Sequence, residues 1–270
     1  MTELDLKDNK RIPLVDIFGP TIQGEGQLIG RPTWFVRLGG CDYKCFFCDT
    51  DYAVDPRTMK ERGTPRMTAE QIAQKFLHLA ERSSVRLVTL SGGNPAIWNM
   101  GPFVLAMRKA GFKIAVETQG SVYRDWIAHC DYVTISPKGP GMTTENSFED
   151  VSLFLTRLGE SHVGHLWGVC LKIPILIKDD LLFAERIKVL GDIHGVPLYL
   201  QGGNRFIHPS WYDTPGRQSD DPATLTMLRE ELLMGLERIS DMVMYEFPDL
   251  TGCPILPQMH VLLFGNAERK

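Results

Sequence analysis

What the 270-residue sequence lacks excludes several classes of protein. There is no polybasic arm: 29 Lys and Arg stand against 33 Asp and Glu, and the net charge is −4. Nucleic-acid binding therefore has no electrostatic support. No apolar run is long enough to span a bilayer. The first residues, MTELDLKDNKRIPL, are polar and mixed in charge, unlike a signal peptide or a lipidation site. The expected location is thus the cytoplasm. No internal repeat or low-complexity segment interrupts the chain. Cysteine is also scarce, with six in all, too few for a disulfide-built secreted scaffold of this length.

Three of the six crowd together as Cys41-x3-Cys45-x2-Cys48, while Cys130, Cys170 and Cys253 are scattered. The scattered three read as small buried hydrophobes. The clustered three read as a metal centre, since thiolates suit both zinc and iron–sulfur clusters. Three cysteines on one loop can hold three irons of a four-iron cubane and leave the fourth iron open for chemistry. A zinc knot completed by Cys253 or a histidine is the competing reading, although no second C-x2-C pair exists.

Around this loop the chain alternates strands and helices. Strands are expected at 33–38, 86–90, 112–118, 132–136, 169–177 and 196–201. Pro174 inside the fifth suggests an edge position or a bulge. Helices are expected after Thr68, where Gln71 completes a capping-box spacing, and at 100–110, 122–129, 148–158, 179–190 and 222–237. Residues 41–67 read as an irregular loop. The alternation implies an α/β fold with a parallel sheet, a partial (βα)6 barrel, in one domain spanning 1–270 with a C-terminal extension from about 203. Polar residues follow several strands: Ser91-Gly92-Gly93-Asn94, Glu117-Thr118-Gln119, Ser136-Pro137-Lys138 and Gln201. In parallel barrels such tips converge on one mouth.

The cysteine spacing resembles the signature of the radical S-adenosylmethionine (SAM) superfamily. That resemblance implies a 4Fe-4S cluster on Cys41, Cys45 and Cys48, with SAM bound at the open iron. It also implies adenine contact by the backbone of Phe47 and a grip on the methionine amino group by Gly92, Gly93 and Asn94. Asparagine stands at 94 where glutamate is commonest.

Further segments, in order, narrow the match: IFGPTIQGEGQLIGRPTWFVRLGGC (17–41), CDTD (48–51), SGGNPA (91–96), VETQGSVYRDW (116–126), TISPK (134–138), YLQ (199–201) and LPQMH–LLFG (256–265). Together they closely resemble the 7-carboxy-7-deazaguanine synthase family. The resemblance implies ring contraction of 6-carboxy-5,6,7,8-tetrahydropterin to 7-carboxy-7-deazaguanine and ammonia. It implies Gln23, Glu25, Arg37, Gly93, Glu117, Gln201 and His260 at the pterin. Thr118, Ser136 and Lys138 fall at SAM, and Thr50 at a magnesium ion. A flavodoxin-like or other electron donor and a homodimer follow from the same resemblance. A glycyl-radical activase, or a non-catalytic zinc or iron–sulfur scaffold, would share the cysteine spacing but would not need Glu25, Arg37 and Glu117.

Overall fold

The computed structural model describes residues 10–143, 148–161, 166–205 and 222–266. Among the described residues nine strands form one open sheet in the order β3-β1-β2-β4-β5-β6-β7-β8-β9. They are β1 (Ile12–Ile22), β2 (Pro32–Leu38), β3 (Arg66–Met67), β4 (Leu87–Gly92), β5 (Lys113–Thr118), β6 (Tyr132–Ile135), β7 (Val169–Ile175), β8 (Leu198–Gly202) and β9 (Ile255–Leu256). From β2 to β9 every neighbouring pair is parallel. Strand β1 runs antiparallel to both β2 and β3, which closes off one edge. The expected α/β partial barrel is present and it is not closed.

The helices among the described residues are α1 (Asp51–Val54), α2 (Pro56–Glu61), α3 (Ala69–Leu79), α4 (Gly101–Lys109), α5 (Phe148–Ser161), α6 (Lys178–His194), α7 (Pro222–Glu246) and α8 (Met259–Phe264). The capping box opens α3 as expected: Gln71 N donates to Thr68 Oγ1 at 3.3 Å and Thr68 N to Gln71 Oε1 at 3.0 Å. Its buried face, Ile72, Ala73 and Phe76, rests on the sheet, where Phe76 meets Trp34, Phe103 and Phe112 edge-on. Edge-to-face pairs of this kind add about 1 kcal/mol each beyond the area they bury.

Period-two alternation decides where the site forms. One face of the strands carries Val36 and Leu38, Val88 and Leu90, Ile114 and Val116, Val133 and Ile135, Leu171 and Ile173, and Leu198 and Leu200, all in the core under the helices. The other face carries Arg37, Thr89 and Ser91, Glu117, Thr134, Lys172 and Gln201. The outer face thus drives folding, while the inner face is free to be polar.

Five points of the sequence reading need correction. Strand β1 has no counterpart in the sequence reading, because Pro13, Gly19 and Pro20 punctuate it; shifts in its register with β2 absorb them. The segment 41–67 is not loop throughout. Asp55 accepts from Arg57 N at 2.9 Å and Pro56 begins α2, so a capped turn forms within it. The helix expected at 122–129 is a 3-10 turn, Asp125–His129. The helix expected at 222–237 runs on to Glu246, because Ile239 and Val243 continue its buried face.

Strand β7 is also central rather than an edge. Leu171 N points to Pro197 O on the β8 side, so Pro174 faces the β6 side. There β6 pairing has already ended at Leu171, and no ladder bond is lost. The three scattered cysteines are buried as expected.

One buried carboxylate pins the loop after β6. Asp180, in the first turn of α6, accepts from Leu176 N (2.8 Å), Ile177 N (3.0 Å) and Gly141 N (2.8 Å). Gly139 and Gly141 are glycines because a Cβ at either would come within 2.3 or 2.4 Å of the carboxylate. Asp180→Ala would strand three amides. It is expected to cost about 3 kcal/mol and to lower Tm by roughly 10 °C in a calorimetric scan. An unchanged Tm would show that the loop does not depend on this anchor.

Candidate active site

The carboxyl ends of the parallel strands open into one cavity. The cysteine loop after β2 forms one wall, with Cys41, Cys45, Phe47, Cys48, Asp49 and Thr50. Ser91, Gly92 and Gly93 from β4, Glu117, Thr118 and Gln119 from β5, Ser136 and Lys138 after β6, Lys172 and Pro174 on β7, and Gln201 on β8 continue round it. Gln23, Gly24 and Glu25 after β1, with Gln258 and His260 from the C-terminal segment, cover the far side. The convergence of polar strand tips is as expected. Every site residue expected from sequence lines this cavity except Asn94.

Asn94 is fully buried and all its polar capacity is spent. Its Oδ1 accepts from Thr118 Oγ1 (2.8 Å) and Ala96 N (3.1 Å). Its Nδ2 donates to Asp42 Oδ1 (2.8 Å) and Ser121 Oγ (3.3 Å). It ties the β4 and β5 tips to the cysteine loop.

The paired glycines line the cavity, but packing also dictates them. A Cβ at Gly92 would lie 2.0 Å from Leu38 O, and one at Gly93 2.0 Å from Gly40 O. The β4 tip therefore presses directly on the start of the cysteine loop. Gly92 O in turn accepts from Thr50 Oγ1 at 3.3 Å.

Cys41, Cys45 and Cys48 are unbridged and half-buried. Burial, followed by the Asp49 charge, pushes the Cys48 thiol up to about 12. Burial likewise raises Cys41. Three thiols outside any disulfide, on one loop facing a cavity, fit a soft metal cluster with an open position. The zinc-knot reading loses Cys253, which packs in the hydrophobic core instead of lining this cavity.

Opposite the thiols lies a buried charge cluster. Lys172 forms an ion pair with Glu25, and Gln258 Nε2 donates to the other Glu25 oxygen at 2.5 Å. Burial alone would raise the Glu25 pKa, but Lys172, His260 and Gln258 outweigh it and bring it to about 2. For Lys172, burial is outweighed by Glu25 and Glu117, so its pKa rises. Glu117 accepts from Gln23 Nε2 at 3.1 Å. Burial first, then the Glu25 and Asp49 charges, raises its pKa against the pull of Lys172. Lys138 donates to Ser136 Oγ at 2.7 Å and is lowered by burial and by Lys172. The His260 ring lies against Gly24, where a Cβ would stand 2.0 Å from Nδ1. Gln201 bridges the cover, accepting from Gly26 N (3.3 Å) and donating to Leu256 O (3.1 Å).

Sequence reasoning missed Lys172, and it placed Ser91 and Gln119 only among the polar strand tips and Gln258 only within the LPQMH segment, without a role for any of the three. Lys172 had a readable signal, a charge inside the apolar run VCLKIPILI. Ser91 is paired in register with Arg37, so the two side chains stand together on the inner face. Buried Arg37 Nε and Ser91 Oγ both lack a hydrogen-bond partner. The Arg37 guanidinium also lies between the rings of Phe18 and Tyr52, 5.0 and 5.6 Å from their centroids, and donates to Tyr52 Oη.

Similarity to known proteins agrees with this arrangement. The radical SAM superfamily profile matches residues 35–148, from β2 to the start of α5. A 7-carboxy-7-deazaguanine synthase from Bacillus subtilis is 37% identical over 258 residues, covering 95% of this chain and 98% of that protein. One from Bacillus cereus is 33% identical over 259 residues, at 95% and 98% coverage. The crystal structure of QueE from Escherichia coli shares the fold, with a TM-score of 0.54 and 19% identity over 93% of this chain and 95% of that one. By its three-cysteine loop, the polar inner face of its barrel and its end-to-end likeness to these relatives, the chain belongs to the 7-carboxy-7-deazaguanine synthase family of radical SAM enzymes.

Proposed function

We propose that the cavity holds 6-carboxy-5,6,7,8-tetrahydropterin against SAM and a 4Fe-4S cluster, and that the enzyme contracts the pterin ring with release of ammonia to give 7-carboxy-7-deazaguanine, which feeds a deazapurine pathway such as that to queuosine. The observation that carries this reading is the charge layout. Two half-buried carboxylates and a guanidinium whose Nε has no partner face one cavity, matching a ligand with an N–H-rich edge at one end and a carboxylate at the other.

Cys41, Cys45 and Cys48 would hold the cluster. When bound, cluster and SAM supply a carbon radical that removes a hydrogen from C6. The chain's own residues bind and orient the substrate. Glu25 is kept ionised by Lys172, and Glu117 sits beside it, so both accept from ring N–H and exocyclic amine groups. Arg37 receives the substrate carboxylate in the planar fork of its guanidinium. Ser91 Oγ, unpartnered beside Arg37 Nε, supplies a second donor to that carboxylate. Gln23 and His260, held by Glu117 and Gly24, shape the cover. Ser136, Lys138 and Thr118 line the SAM side, and Asn94 acts there by positioning Thr118.

A magnesium ion is assigned to Thr50. The neighbouring Glu25, Asp49 and His260 present ligand atoms within 4.8 Å of one another, but Glu25 is committed to Lys172, so the support comes from Asp49. A flavodoxin-like one-electron donor, one catalytic domain and a homodimer are proposed from the family. The C-terminal extension from about 203 supplies Gln258 and His260. Its residues 206–221 and 267–270 lie outside the described residues. Among the described residues no helix is long and apolar enough to cross a membrane.

Anaerobic titration of the pterin into cluster-loaded protein tests the reading. Wild type is expected to bind. Ser91→Ala is expected to bind about tenfold more weakly, the effect of one lost hydrogen bond to a charged group. No binding by wild type would contradict the proposed substrate.

A further inference from the structure

Gln119 follows Thr118 at the β5 tip, and it is 6% exposed. Its Nε2 donates to Asp42 Oδ1 at 2.7 Å and to Cys41 Sγ at 3.6 Å. The orientation of this amide is not arbitrary. An ionised carboxylate only accepts, so the amide nitrogen must face Asp42, and its second hydrogen is then directed at the sulfur. Asp42 is itself fixed, accepting from Asn94 Nδ2 (2.8 Å) and from Ser121 Oγ (2.5 Å). The Gln119 side chain thus bridges the Asp42 carboxylate and the Cys41 sulfur with both of its amide hydrogens. The backbone N–H of Tyr43 donates to the same sulfur at 3.4 Å.

We propose that Gln119 tunes the redox potential of the metal cluster by donating an N–H···S hydrogen bond to Cys41, with Asp42, Asn94 and Ser121 holding its amide in place. This rests on the reading of Cys41 as a cluster ligand. Hydrogen bonds to cluster sulfurs are among the determinants of potential, and partners of the ligands are a general means of tuning a metal. A donor stabilises negative charge on sulfur, and the reduced cluster carries more of it. The bond therefore favours reduction, and it offsets the opposing field of the Asp42 carboxylate. In this network Asn94 spends its amide on Asp42, and Asp42 spends its carboxylate on orienting Gln119.

The test is an EPR-monitored redox titration of anaerobically reconstituted wild type, Gln119→Met and Gln119→Glu, with iron and sulfide content measured on each. Methionine keeps the length of the side chain and carries no N–H. Glutamate keeps the shape and adds a negative charge. At a fixed poise the reduced-to-oxidised ratio is expected to fall roughly three- to tenfold in Gln119→Met, a tenfold fall being about 59 mV for one electron, and further in Gln119→Glu. A merely structural glutamine would leave the potential where it is while cluster content fell. Unchanged potentials in both variants would overturn the proposal.

Should neither variant assemble a cluster, pulsed EPR of the reduced wild type grown with side-chain 15N-glutamine decides. A 15N coupling supports the contact, and its absence overturns it. A wild type that takes up no cluster would instead defeat the proposed function, and the iron content separates the two failures.

Discussion

Replacing Lys172 with methionine is expected to lower the stability of the protein by about 3–5 kcal/mol, the range for breaking a buried ion pair from one side. Only 5% of the Lys172 side chain and 13% of the Glu25 side chain are exposed, and Glu117 is held by the same ammonium. Without it, two carboxylates line one cavity with no cation between them. Adding Glu25→Gln to Lys172→Met should recover much of the loss, because removing both partners also removes the stranded charge.

The sign of the pH dependence follows from the shifts. Glu25 is depressed from 4.5 to about 2, so in wild type its contribution is complete above pH 4.5 and is lost as pH falls toward 2. Lys172 is raised above 10.5, so its contribution is complete below that value and is lost only as pH rises beyond it. In Lys172→Met the unpaired Glu25 protonates more readily and the variant gains in acid. With Lys172 gone, burial raises the Glu25 and Glu117 pKa values above the ordinary carboxylate range, so the gap between the two proteins is widest between those raised values and about pH 10 and narrows as pH falls through them. Chemical denaturation of the two variants across that range measures it. A loss under about 1 kcal/mol at neutral pH, the size expected of an exposed pair, would show that the pair is not buried.

Glu117→Gln is expected to reduce kcat/KM for the pterin at least about a hundredfold, equivalent to roughly 3 kcal/mol of lost charge-assisted hydrogen bonding to the N–H-rich edge of the substrate. Cluster content and SAM cleavage should be unaffected, because Glu117 touches Gln23 and not the cysteines. Its pKa is raised, first by burial and then by Glu25 and Asp49. The carboxylate must be ionised to accept two N–H groups, so wild-type kcat/KM should fall as pH drops through this raised value, above where an ordinary glutamate titrates. That acid limb should be missing from the residual activity of Glu117→Gln. A variant with full turnover would remove Glu117 from the substrate site.

The sequence displayed the parallel strands, α3 with its cap and the three cysteines because each has a local cause: an apolar run, a Thr-x-x-Gln spacing, a ligand interval. It also displayed the polar strand tips, since parallel strands deliver their ends to one mouth. Strand β1 escaped because Gly and Pro mask its alternation, and its place is set by pairing with β2 and β3, a tertiary fact. Pro174 misled for the same reason: which neighbour a proline faces depends on where β6 stops. Asn94 was legible as part of a motif but not as a buried node, since its partner Asp42 lies 52 residues away. Ser91 and Arg37 are 54 positions apart and become a pair only through strand register. Lys172 was readable in principle. A charge in the middle of a buried strand needs a partner, but nothing in the sequence names Glu25 as that partner.

The most direct test of the account is anaerobic turnover by cluster-loaded protein. SAM, a one-electron reductant, magnesium and 6-carboxy-5,6,7,8-tetrahydropterin are supplied, and the products are followed by mass spectrometry. The account predicts 7-carboxy-7-deazaguanine and ammonia, formed many times per SAM consumed because the hydrogen taken from C6 is returned. 5′-Deoxyadenosine accumulating without the deazaguanine, in protein shown to carry its cluster, would contradict it.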